Sequence, residues 1–264
     1  MLPLFRLVLM RYSATAQYRL DMVLWTAVEL VSPLVSLAIW YAVAVSGDNP
    51  ILSPADTITY YLLVGIVFTV ANSWIGYRLA ENIRQGDLAK LLIRPINVFW
   101  DYVAEMIAEK SYRLLLPVTL GLVSYIIWQV NFSNGWQGLT NLPIFFLSLF
   151  LAVMVSSAFD LAMGLLAFWM EDVMEIRHYS DLLYIIGSGM MIPLVMLPAW
   201  AQSALSWLPF RYIVSVPVEI FMGNYGPSSP LPLLLLQIVW IAILVGVIIL
   251  LWKRGLKRYA VPGN

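Results

Sequence analysis

The sequence predicts an all-α, polytopic membrane protein, and three observations carry that prediction. The 264 residues contain six long apolar stretches, at roughly 22–46, 57–79, 111–130, 142–170, 182–197 and 231–252. A helix needs about 20 apolar residues to cross the hydrocarbon core, and most of these stretches reach that length. The chain is 61% hydrophobic and 11% charged, with a mean hydropathy of +0.83. A water-soluble domain cannot hide that much apolar surface. Fourteen of the fifteen Lys and Arg residues fall on one side of the stretches: Arg6, Arg11, Arg19, Arg78, Arg84, Lys90, Arg94, Lys110, Arg113, Arg177, Lys253, Arg254, Lys257 and Arg258. Only Arg211 falls on the other. Basic residues are retained on the cytoplasmic side during insertion, so both ends are expected inside.

Other composition agrees. Net charge is zero, but the charges are sorted by face. Trp40, Trp74, Trp128, Trp169 and Trp252 lie near stretch ends, where an indole can bury its ring and keep its N–H wet. With no Cys, disulfides, thiolate metal sites and Cys nucleophiles are excluded. His178 is the single His and makes no case for a metal site.

Taken in order, residues 1–20 read as an amphipathic helix lying on the inner leaflet. Leu4, Leu7, Val8 and Arg11 share one face, with the Arg able to snorkel. Ala14-Thr15-Ala16 mimics a signal-peptidase site, but Arg6 and Arg11 interrupt the apolar run before it. Span one, 22–46, exits to a turn-rich loop at Ser46–Thr57, and span two, 57–79, returns. The interval that follows carries Glu81, Arg84, Gly86, Asp87, Leu88, Leu91, Leu92, Arg94 and Pro95. A helical continuation ends near Gly86. Asp87 caps a second short helix, and Pro95 stops it. Leu88, Leu91 and Leu92 form an apolar edge on that helix, suited either to a groove on a soluble partner or to lipid headgroups.

Asn97–Arg113 reads as a helix running into span three, 111–130. Asp101, Glu105 and Glu109 recur every four residues and stack on one face, with Arg113 closing the row. The row reads as a solvated cytoplasmic face; the other reading is an acidic entrance for a cationic headgroup or drug. Spans three and four are joined outside at Asn131–Asn141. Span four, 142–170, re-enters at Glu171. Two acids fall within spans, Glu29 in the first and Asp160 in the fourth. A charge at such depth costs at least about 2.5 kcal/mol and must face the bundle or a wet cavity. Asp160 is either a pathway residue or an interhelical hydrogen-bonder to a Ser or Tyr, and small residues around it permit close helix approach. Pro33, Pro117 and Pro193 are candidate kinks. Span five, 182–197, is short. Residues 199–223, with Pro209, Arg211 and Glu219, are too polar to span and too apolar for a free loop, which predicts a broken re-entrant hairpin. Span six, 231–252, leads to the basic tail. The whole of 1–264 reads as a single transmembrane domain without internal repeats.

Three segments, in this order and spacing, resemble the permeases of type-2 ABC exporters. They are Ile83-Arg-Gln-Gly-Asp-Leu-Ala-Lys-Leu-Leu-Ile-Arg-Pro95, Ala167-Phe-Trp-Met-Glu-Asp172, and Leu208-Pro-Phe-Arg-Tyr-Ile-Val-Ser-Val-Pro-Val-Glu-Ile-Phe-Met-Gly223. The resemblance implies a bacterial inner-membrane subunit of an ATP-driven exporter. It implies that 81–95 is a coupling helix docking on an ABC ATPase, and that 199–223 helps close an outer gate. A second permease, copy or paralogue, would complete the pathway; membrane lipids are the other expected partner, and no nucleic acid. The sequence has no Gly-x-x-x-x-Gly-Lys-Ser/Thr phosphate loop, so no cofactor is expected on this chain, and ATP with Mg belongs to the partner. Two other classes compete. A proton-coupled secondary transporter would use Asp160 or Glu29. A membrane-embedded enzyme would need clustered His, Asp or Ser at one interface, which the sequence lacks.

Overall fold

The computed structural model describes residues 2–47, 51–94, 97–119, 122, 140–170, 172–224 and 229–259. Among these every regular element is helical. The expected stop at Pro95, half of span three, most of the 131–141 loop, and the re-entry point Glu171 lie outside the described residues.

Helix α1 (Leu2–Thr15) turns through a single 3-10 turn, Ala16–Tyr18, into α2 (Arg19–Ser46), which keeps Pro33 inside it. Helix α3 (Pro54–Ala71) opens on a local signal: the Ser53 hydroxyl accepts from the Asp56 N–H at 3.1 Å, and proline occupies the first helical position. After a break come α4 (Ile75–Arg84) and the five-residue α5 (Leu88–Leu92). Asn97 caps α6 (Val98–Arg113) by accepting from the Phe99 N–H at 3.0 Å. Helix α7 (Leu142–Leu165) ends in a 3-10 turn, and α8 (Val173–Gly187) follows. Two short helices, α9 (Ala199–Ser206) and α10 (Ser215–Met222), precede the long α11 (Leu231–Tyr259).

Among the described residues, four stretches are long and apolar enough to cross a membrane: Val23–Ser46, Pro54–Arg84, Leu142–Phe168 and Leu231–Tyr259. They correspond to expected spans one, two, four and six. Two expectations are corrected. Span two is not one helix, because residues 72–74 interrupt it. Span five is not helical over 182–197: α8 starts at Val173 and stops at Gly187, and an irregular stretch holding Gly189 at φ +81° carries the chain to α9. Fifteen helical residues cover only about 22 Å.

Irregular backbone at membrane depth needs partners for its carbonyls. Neighbouring helices supply them. Tyr60 donates to the Gly189 carbonyl at 2.7 Å, while Tyr61 and the Trp40 indole both donate to the Met191 carbonyl at 3.0 Å.

Helix α7 is the centre of the fold, packed by α11, α4, α10 and α3, while α2 packs on α3 and α1 on α6. One apolar cluster joins α3, α7, α10 and α11 through Val64, Val67, Val155, Val216, Ile220 and Leu244. A second sits at the α4–α5 end around Leu79, Leu88, Leu165 and Phe168. Gly76 and Gly164 let α4 and α7 touch backbone to backbone. A Cβ on Gly76 would lie 1.8 Å from the Asp160 carbonyl oxygen, and one on Gly164 would lie 2.3 Å from that of Gly76. The hairpin region is apolar on its inner side, with Ile213, Val214, Val216 and Ile220 fully buried. Gln237 of α11 is also fully buried; it donates to the Ser148 and Tyr212 carbonyls at 3.1 and 2.9 Å and accepts from the Ser148 hydroxyl.

Candidate functional site

The break in span two gathers charged side chains from four other helices. Asn72 leaves helical geometry with ψ 134°, and α4 restarts at Ile75. The backbone groups orphaned there are met from three other helices. From α6, Lys110 donates to the carbonyls of Val70 and of Asn72, the latter at 2.6 Å. From α8, Arg177 donates to the Ser73 carbonyl at 3.3 Å and lies over the Trp74 ring. From α7, the Asp160 carboxylate accepts from the Gly76 N–H at 2.7 Å and pairs with Arg177 at 2.6 Å. The Asn72 side chain donates to Glu29 of α2 at 3.2 Å, and Glu29 pairs with Arg113 at 2.6 Å. Both expected intramembrane acids therefore meet at this break. Asp160 meets the Ser73 side chain, in line with the Ser expected from sequence, and in addition an arginine and a backbone amide that the sequence did not announce.

The acidic row on α6 is not a solvated face. Asp101 and Glu109 are buried, and each acid meets a cation from a different helix. Arg11 of α1 grips Asp101 with two nitrogens, so it does not snorkel freely. Arg78 of α4 pairs with Glu105 and reaches Glu109 at 3.6 Å, while Arg113 of α6 itself also pairs with Glu109, at 2.8 Å. The row is a ladder tying α1, α4 and α2 to α6. Leu7 and Val8 share the half-buried side of α1 with Arg11.

Helices α4 and α5 form an elbow. Gly86 takes φ +79°, a left-handed conformation that favours glycine, and reverses the chain between them. Asp87 makes no cap bond; its carboxylate pairs with Lys90 at 2.6 Å, and that hydrogen bond holds the Lys90 ammonium above its ordinary range. Leu88 is fully buried and roots the elbow in the second apolar cluster, so it is not part of an exposed edge. Leu91 is half-buried, whereas Leu92 is 41% exposed and Ile93 85% exposed. The outward apolar edge is thus Leu92 and Ile93. Glu81, Arg84 and Arg94 are exposed around it, with Glu81 accepting from Gln85 at 3.0 Å.

At the opposite end of the bundle, Pro209 and Arg211 lie on a 3-10 turn that leads into α10. Arg211 pairs with Glu219 of α10 at 3.0 Å. Pro209 is buried, and Gly223 ends α10 at φ +76°.

Residues 53–263 match the family described as ABC-2 family transporter protein. The chain belongs to the ABC-2 transporter family. Over 171 residues it is 28% identical to YvfS of Bacillus subtilis (strain 168), a protein named as a transport permease. That alignment spans 62% of this chain and 66% of YvfS. With its long apolar helices, the chain is a multi-pass membrane permease.

In this permease the residues that sequence reasoning passed over are Asn72, Ser73, Lys110, Arg177 and Gly76. Asn72-Ser73 was the legible signal: two polar residues inside an apolar run. Arg177 and Lys110 counted only towards orientation, and nothing local announces that their charges turn inward.

The Asp160–Arg177 pair yields a direct expectation. Asp160→Asn retains an acceptor for Gly76 but leaves a buried guanidinium short of its counter-charge. Removing one partner of a buried pair costs about 3 kcal/mol or more. Thermal unfolding of the purified permease in detergent should fall markedly for Asp160→Asn and for Arg177→Gln, and less than additively for the double variant. Additive losses in that double-mutant cycle would remove the pair from the account.

Proposed function

We propose that the permease is the membrane-spanning subunit of an ATP-driven exporter, paired with a second permease and powered by a separate ABC ATPase that binds ATP and Mg. The observation that carries this reading is the α4–α5 elbow. It offers an exposed apolar pair, Leu92 and Ile93, ringed by charges, while Leu88 anchors it beneath. Burial plus flanking charge suits a small, oriented interface. A push on α5 passes through α4 to the break at 72–74, where the charges of α2, α6, α7 and α8 converge. Movement of the ATPase pair would thereby reach the bundle. The hairpin around 199–223, with Pro209, Arg211 and Glu219, would act as the outer gate, and the pathway would run between two permeases.

Proton coupling gains no support from the acids it would need. Asp160 is paired with Arg177, and Glu29 with Arg113. Isolating the permease with its natural partners and reconstituting it tests the reading. Transport should require a co-purifying P-loop ATPase and ATP; transport by this chain alone on a proton gradient would replace the exporter with a secondary transporter.

Orientation in the bacterial inner membrane follows from the basic residues, with both termini cytoplasmic. The absence of native Cys makes single-Cys labelling clean. A Cys at Gln85 should react only from the cytoplasm and one at Ser203 only from outside. The reverse pattern would invert the topology.

A further inference from the structure

We infer that the permease carries a binding site for a zwitterionic group, an ammonium joined to a phosphate or carboxylate, in the cavity beside its Arg211–Glu219 pair. The inference rests on the transport reading only for the purpose of the site; the binding itself stands on the cavity.

The cavity lies at the end of the bundle opposite the elbow and measures about 540 Å³. That is within the size range of small-molecule sites. Its polar lining is Arg211, Glu219, Gln202, Asn224, Ser215 and Tyr60, and its apolar lining includes Leu194, Val195 and Met222. Arg211 is the one basic residue that the sequence places away from the basic end, and here it faces a cavity. One guanidinium nitrogen meets Glu219 at 3.0 Å. Its Nε is buried and has no hydrogen-bond partner among the described residues. The Nε itself is closed off from the cavity, but the Arg211 side chain keeps 23% exposure, so guanidinium donors beyond the one on Glu219 are open to a phosphate or carboxylate.

The pair decides the class of ligand. Arg211 and Glu219 neutralise each other in a partly enclosed place. A purely anionic guest would take Arg211 and strand the Glu219 carboxylate; a purely cationic guest would strand Arg211. Stranding a buried charge is strongly unfavourable. A zwitterion meets both at once, anion on Arg211 and ammonium on Glu219. The apolar lining then accommodates a short hydrocarbon attached to the group. The shared chemistry could reach the site as a lipid headgroup or as a free soluble zwitterion.

Titration calorimetry on the full chain in detergent distinguishes these sources. The probes are dihexanoyl-phosphatidylethanolamine, dihexanoyl-phosphatidylglycerol and soluble O-phosphoethanolamine. Phosphatidylethanolamine should bind at least tenfold more tightly than phosphatidylglycerol. Binding by O-phosphoethanolamine at similar affinity would support the site and assign it to a soluble group; binding by the lipid alone would support it and assign it to a headgroup. Arg211→Gln and Glu219→Gln should each lower affinity at least tenfold. If either variant misfolds, Val195→Trp is the second arm. It fills the cavity from an exposed position while leaving both charged residues in place, and should lower affinity similarly. Equal binding of the two lipids, or unchanged affinity in Val195→Trp, would overturn the proposal. Because no ATPase or ATP is present, such a failure is separate from failure of the exporter reading.

Discussion

Gly76→Ala is expected to pry α4 from α7 and to lower the stability of the permease by about 3 kcal/mol or more. The new methyl would fall 1.8 Å from the Asp160 carbonyl oxygen, a backbone atom that cannot swing aside. Yielding requires moving one helix, and the movement would also pull Asp160 from the Gly76 N–H and from Arg177. Gly164→Ala should behave alike, since its methyl meets the Gly76 backbone at 2.3 Å. Gly246→Ala is the control. It lies in α11 with nothing within 4 Å of a new Cβ, so the substitution should cost nothing and can gain from better helix propensity. Thermal unfolding of the three variants in one detergent checks the set. Equal midpoints for Gly76→Ala and Gly246→Ala would mean that α4 and α7 do not meet backbone to backbone.

The other large effect is expected at the elbow. Leu92→Asp combined with Ile93→Asp should abolish association with the ATPase while leaving insertion and folding intact. Each apolar side chain at the centre of an interface is worth about 1.5–3 kcal/mol of burial. Losing two, and placing carboxylates in their stead, weakens binding by well over 100-fold. Leu88→Asp should differ in kind: it introduces a charge into the cluster of Leu79, Leu165 and Phe168, so the fold itself should suffer. Arg94→Glu should be milder and salt-sensitive, because a charge at the rim mainly alters encounter. Co-purification of the ATPase, with ATP hydrolysis measured in membranes, reads all three. Normal association in the Leu92/Ile93 double variant would sink the docking role and leave the elbow better placed on lipid headgroups.

Much of the architecture was legible where length and apolarity alone decide. The spans at α2, α7 and α11 are long uniform runs, and no tertiary contact is needed to recognise them. The break in span two was not, because its cause is remote. Asn72 and Ser73 could sit in a continuous helix; what holds them out of it are Lys110, Arg177 and Asp160 from other elements. The α6 acids were misread for the same reason. Four-residue spacing shows that Asp101, Glu105 and Glu109 share a face, but not that Arg11 and Arg78 lie opposite. Leu88 was placed on the exposed edge because a five-residue helix is too short for its periodicity to say which leucine turns inward. The mixed polarity of 199–223 marked a segment that does not form one long helix, and the Arg211–Glu219 pair within it is visible only from coordinates.

Gln237 carries an implication for the order in which the chain can be assembled. Synthesis runs from the N-terminus, and α11 is the last of the described helices to leave the ribosome. Until it arrives, the Tyr212 carbonyl beside the hairpin lacks the amide that meets it, and the Ser148 hydroxyl and carbonyl in α7 lack the side chain that ties them to α11. The half of the bundle around α7 and α10 is therefore held provisional, open to chaperones or to proteolysis, while the α1–α6 ladder can close as soon as its own helices are in place. Release of the final span is what commits the other half, and a nascent chain arrested before Gln237 should show a protease-sensitive hairpin beneath an already locked α1.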